Sequence, residues 1–67
     1  MKTSYDLTEV KIGDVFQWVE KDGYHWKNGN LYSVTEVYKW GGVRMTTGSE
    51  FYDVYTPLSF DCWSKND

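Results

Sequence analysis

The run Leu31-Tyr32-Ser33-Val34-Thr35-Glu36-Val37-Tyr38-Lys39-Trp40-Gly41-Gly42-Val43-Arg44-Met45-Thr46-Thr47 reads as two β-strands about a glycine turn. Apolar residues alternate with polar ones on both sides of Gly41-Gly42, which is the signature of a hairpin. In the first arm, Leu31 to Trp40, Tyr32 and Val34 share a face and Val37 falls out of phase. A bulge near Thr35-Glu36 returns Val37 to the inner face, and bulges bend strands toward closure. In the second arm, Val43 to Thr47, Val43, Met45 and Thr47 alternate with Arg44 and Thr46.

Working outward, further strands are expected at Val15 to Lys21 and at Glu50 to about Thr56. Asp22-Gly23 is a type I′ turn signal, Lys27-Asn28-Gly29-Asn30 is a second turn, and Gly48-Ser49 a third. Tyr24-His25-Trp26 is a short strand or the arm of a long loop. Pro57 marks a strand end. Leu58 to Trp63 is a fifth short strand or a 3₁₀ turn. Residues 1–13 form a lead-in. There Asp6 and Glu9 resemble a capping box for one helical turn, and Leu7, Val10 and Ile12 are placed to plug the bottom of a barrel. Residues 64–67 are expected to fray. The predicted core is Phe16, Val34, Val37, Val43, Met45 and Phe51, the set that alternation puts on one face.

The 67 residues form a single small domain. A chain this short buries only about 60% of the surface its unfolded form exposes and needs some form of reinforcement. Cys62 and His25 are each the only residue of their type. An internal disulfide and a structural zinc site are therefore both excluded. What remains as the reinforcement is the thirteen aromatic residues, four of them Trp, since each ring can bury about 150–250 Å², or a second copy of the chain. No stretch approaches the roughly 20 apolar residues of a membrane span, and no apolar h-region follows Met1. With a lone cysteine added, the expectation is a cytoplasmic protein.

The net charge of −3 is uneven. Residues 1–20 carry −2 and residues 49–67 carry −3, whereas residues 21–48, with Lys21, Lys27, Lys39 and Arg44, carry +2. An acidic total argues against general binding to phosphate backbones. Within the basic middle, rings and cations interleave: Tyr24, His25, Trp26 and Lys27, then Tyr38, Lys39, Trp40 and Arg44.

These features point to four overlapping expectations about the site. Catalysis is not expected, because His25 and Cys62 lie in segments without a catalytic spacing. No cofactor or metal is expected either; Asp53 and Asp61 read as solvated loop carboxylates, far short of the oxygens a calcium site collects. The contact surface is expected at Tyr24, Trp26, Lys27, Tyr38, Lys39, Trp40 and Arg44, because Tyr, Trp and Arg are the residue types enriched at interface hot spots. Its partner is expected to be a protein, with a homodimer through edge strands included. The alternative is single-stranded nucleic acid, stacked on the rings and threaded past the cations.

The entry Leu7-Thr8-Glu9-Val10-Lys11-Ile12-Gly13-Asp14-Val15-Phe16 resembles the start of many SH3-like barrels, in which an apolar plug precedes Gly-Asp and the first strand. Tyr32 to Val37, followed by Gly41-Gly42-Val43-Arg44-Met45, resembles their central hairpin. The resemblance spans about residues 7–56. It implies an all-β, small SH3-like barrel of four to five antiparallel strands with a short N-terminal helical turn, binding extended peptides in an aromatic groove. Small size, acidity and aromatic richness also resemble accessory proteins of bacteriophages, which implies a regulatory action on a host protein.

Overall fold

The structure, a computed structural model, describes residues 2–66. It is built of antiparallel strands: β1 (Ser4–Tyr5), β2 (Val15–Trp18), β3 (Leu31–Val37), β4 (Val43–Thr47), β5 (Glu50–Val54), β6 (Leu58–Ser59) and β7 (Trp63–Asn66). A 3₁₀ turn, Leu7–Glu9, lies between β1 and β2. Five strands make the main sheet in the order β5-β4-β3-β2-β7, and β1 pairs with β6 in a small second sheet. The all-β class is as expected. Among the described residues, no helix is long and apolar enough to cross a membrane.

The central pair shows how pattern becomes register. Val34 lies opposite Met45, the pairing slips between Val34 and Glu36, and Glu36 then faces Arg44. The expected bulge is therefore present. It brings Val37 opposite Val43, but Val37 is the last residue of its strand and stays 41% exposed, so it is not core. Phe51 is a second correction. It pairs with Thr46, and residues paired across strands share a face. Met45 with Tyr52 and Val43 with Val54 take the inner face, which turns Phe51 outward at 58% exposure.

The buried set is Leu7, Val10, Phe16, Tyr32, Val34, Val43, Met45, Leu58 and Trp63. Leu7 and Val10 plug the core as expected, but Ile12 stands 68% exposed. Asp6 caps the 3₁₀ turn by accepting from the Thr8 amide and hydroxyl, while Glu9 turns to Lys2. The remaining additions are Tyr32, Leu58 and Trp63. Trp63 meets the rings of Phe16, Trp18, Trp26 and Tyr32 edge-on, with centroids 4.9–6.4 Å away, an arrangement the ring quadrupoles favour. This knot of rings is the reinforcement that a chain without disulfides requires. It also explains why residues 64–66 do not fray. Burial of Trp63 anchors the chain beside β2, where Trp63 to Asn66 pair with Trp18 to Val15. Asp67 lies outside the described residues.

Two turns differ from expectation. Asp22-Gly23 makes no type I′ hairpin, because neither residue has the positive φ such a turn demands. Instead β2 ends at Trp18 and residues 19–30 form one long loop. The Gly23 amide donates to the Trp26 carbonyl (2.7 Å) and the Asn28 amide donates to Asp22 (2.8 Å). The turn at residues 27–30 is present, with Asn30 donating to Lys27. The connection at Gly41-Gly42 is longer than two residues. Tyr38 to Gly42 all lie between β3 and β4, closed by Tyr38 N–H to Gly42 O (3.0 Å) and Gly41 N–H to Tyr38 O (3.2 Å).

Candidate aromatic contact surface

That longer turn builds the site. It leaves Trp40 72% exposed, with Tyr38, the residue after β3, beside it. Tyr55, the residue after β5, reaches the same spot. The Trp40 ring stacks on Tyr38 (5.1 Å, 14° between planes) and on Tyr55 (5.3 Å, 29°), and the two tyrosines lie 6.4 Å apart. The three rings form one platform with Trp40 outermost.

Polar contacts beneath hold the platform in place. Arg44 on β4 and Asp53 on β5 are cross-strand partners. Arg44 Nε donates to Asp53 Oδ1 at 2.9 Å and Nη2 donates to Oδ2 at 3.4 Å, a two-pronged contact of the kind that fixes geometry as well as charge. The same carboxylate accepts the Tyr38 hydroxyl at 3.0 Å and the Tyr55 hydroxyl at 3.3 Å. Glu36 lies 3.9 Å from Arg44 Nη1. The hydrogen bond from Arg44 is the main cause that holds the Asp53 carboxyl below the usual carboxylate range. The same bond raises Arg44. Partial burial, then the bond to Asp53, raises Tyr38; partial burial, then the Asp53 charge, raises Tyr55.

The seven residues expected at the surface divide into two groups. Tyr38, Lys39, Trp40 and Arg44 gather around the platform, with Lys39 exposed. Tyr24, Trp26 and Lys27 belong to the long loop, and ring contacts among the described residues do not join the two groups. Tyr24 is 92% exposed and meets only His25 edge-on. Trp26 is not the free anchor expected beside a turn. It is half-buried, stacked on Trp18 at 6.0 Å and edge-on to Tyr32, Tyr52 and Trp63. The Lys27 side chain is exposed, while its amide donates to the Tyr32 hydroxyl at 2.9 Å. Arg44 is engaged by acids rather than free for phosphate.

Asp53 and Tyr55 were missed. Asp53 is a strand carboxylate clasped by Arg44, not a solvated loop acid. Their signal was the alternation Phe51, Asp53, Tyr55, which places both on the face of Arg44 once the Gly48-Ser49 turn sets the register. His25 is stacked on Tyr52 at 4.5 Å and Cys62 packs on the core, with no hydrogen bond between them among the described residues. A hollow of about 260 Å³ opens beside Cys62, walled by Trp18, Trp26, Leu58 and Trp63. Comparison with known proteins finds no matching family model, no matching curated protein and no matching solved structure.

Proposed function

We propose that this chain is a non-enzymatic protein-binding module of SH3-like architecture whose contact surface centres on Trp40. The observation that carries the reading is the exposed, pre-ordered platform of Tyr38, Trp40 and Tyr55 over the Arg44–Asp53 pair. Large rings held rigid lose little entropy on binding, which is why such residues serve as anchors. The neutralised charge beneath favours a partially apolar protein surface over a phosphate backbone. The unbroken β2-to-β5 meander, the bulged β3 and the plug of Leu7 and Val10 support the SH3-like barrel.

A pull-down from the native host with the wild-type chain and Trp40→Ala, each with and without nuclease, tests the proposal. A protein retained after nuclease by the wild type and lost with Trp40→Ala is the expected result. Lys27 and Lys39 make no ion pair among the described residues, and with Tyr24 they favour the second reading, a single-stranded nucleic-acid binder. Tight oligonucleotide binding that weakens with salt at a slope of about 0.7 per phosphate contacted, and survives Trp40→Ala, overturns the first reading in favour of the second.

A further inference from the structure

The two edges of the main sheet are unlike. β7 carries Lys65 flanked by Ser64 and Asn66, a charged and polar edge of the kind that discourages strand addition. β5, Glu50-Phe51-Tyr52-Asp53-Val54, contains no Lys and no Pro, and no bulge interrupts its pairing with β4. Among the described residues it pairs on one side only. The two-residue Gly48-Ser49 connection makes Thr47 and Glu50 the closing hydrogen-bonded pair. Alternation from that pair aims the main-chain groups of Glu50, Tyr52 and Val54 at β4. Those of Phe51 and Asp53 therefore point away from the sheet, and no turn or loop hydrogen bond among the described residues takes them up.

We propose that β5 pairs antiparallel with β5 of a second copy of this chain, about a two-fold axis at Tyr52. This proposal does not rest on what binds at Trp40, although the strand pair reaches Tyr55 at the edge of the platform. The outward groups lie symmetrically on either side of Tyr52, so the strand is complementary to its own image. Phe51 and Asp53 of one copy exchange N–H···O=C bonds with Asp53 and Phe51 of the other. In this register Glu50 stands opposite Val54 and Tyr52 opposite its own copy, so no like charges face each other. Sliding the pairing by two residues in one direction sets Asp53 against Asp53. In the other it sets Asp53 against the Ser49 turn.

Side chains favour the same register. Among the described residues, Phe51 is the one aromatic residue without a ring neighbour, though it is well exposed. In the pair its diagonal neighbours are Phe51 and Tyr55 of the second copy, at the roughly 7–8 Å an aromatic side chain can bridge. The Asp53 charge beside Phe51 is already answered by Arg44 and two tyrosine hydroxyls. One strand pair is smaller than the interfaces of stable complexes, so the dimer is reversible and concentration-dependent.

Sedimentation equilibrium of the full chain, with amide exchange followed by NMR, tests this. The expected mass climbs from 7.9 kDa toward twice that value as concentration rises. The Phe51 and Asp53 amides gain protection in parallel, and those of β7 do not. Phe51→Lys is expected to keep the wild-type circular dichroism and remain single at every concentration. A single-chain mass at about 1 mM, or a dimer that folded Phe51→Lys leaves intact, overturns the proposal. If Phe51→Lys does not fold, the wild-type amides decide alone: concentration-dependent protection outside β5 overturns it.

Discussion

The Tyr55 ring lies on the backbone of Gly42, in the space a side chain at that position would fill. A β-carbon there would stand 2.4 Å from Cδ1 of Tyr55 and 3.1 Å from the Val54 carbonyl oxygen, and Gly42 itself has φ +114°. The glycine thus serves two ends: it closes the 38–42 turn and it seats one ring of the platform.

Gly42→Ala is therefore expected to displace Tyr55 as well as strain the turn. Gly41→Ala is the control, since its φ is also positive (+103°) but nothing lies within 4 Å of the added carbon. Backbone strain alone costs about 1–3 kcal/mol, and Gly42→Ala should exceed Gly41→Ala. Denaturant melts of the two variants check the order. Equal losses would mean that Tyr55 is not seated there.

Trp40→Ala and Trp26→Ala are expected to separate binding from folding. Trp40 is solvent-exposed, so its removal should shift stability by less than about 0.5 kcal/mol. Trp26 supports Trp18, Tyr32, Tyr52 and Trp63, and its removal should cost about 2–4 kcal/mol. Thermal melts followed by circular dichroism distinguish them.

Phe51→Ala is expected to leave stability nearly unchanged, and Phe16→Ala to abolish most folding. Phe16 is fully buried against Tyr5 and Trp63. Losing such a ring costs about 3–5 kcal/mol, comparable with the entire stability of a small domain. Urea titration of both variants checks the contrast.

The platform should loosen at both extremes of pH. The folded pKa of Asp53 is depressed, so its contribution is present above the unfolded value of about 3.9 and is lost as pH falls through the folded value. Tyr38 and Tyr55 are raised, so their contribution is complete below the unfolded value of about 10 and is lost as pH rises through the folded values. Asp53→Asn should reduce the acid-side loss, leaving the part due to Asp6, which the Thr8 amide also holds below its ordinary value. Stability followed from neutrality into strong acid, and phenolate absorbance at high pH compared between the wild type and Tyr38→Phe and Tyr55→Phe, give the two readouts.

The strands around the central turn, the bulge after Val34 and the burial of Phe16, Val34, Val43 and Met45 could all be read from the chain. Each depends on a period of two residues, and that period is local: neighbours in sequence alternate faces whatever the rest of the chain does. Which rings are hidden was not local. Trp26 and Trp40 both sit beside turns, yet one packs into a knot of rings and the other stands in solvent. The difference is what lies across from each: Tyr52 and Trp63 arrive from distant segments to close over Trp26 beside Trp18, whereas among the described residues Trp40 has only the rings of Tyr38 and Tyr55 beside it. The same holds for residues 64–66, whose polar sequence suggests fraying until the burial of Trp63 brings them beside β2. Asp53 and Tyr55, by contrast, reach Arg44 and Gly42 through the local β4–β5 hairpin, so their part in the site was legible in the alternation about Gly48-Ser49. Pairing between segments far apart in sequence depends on the closing of the whole structure, and only the tertiary fold decided it.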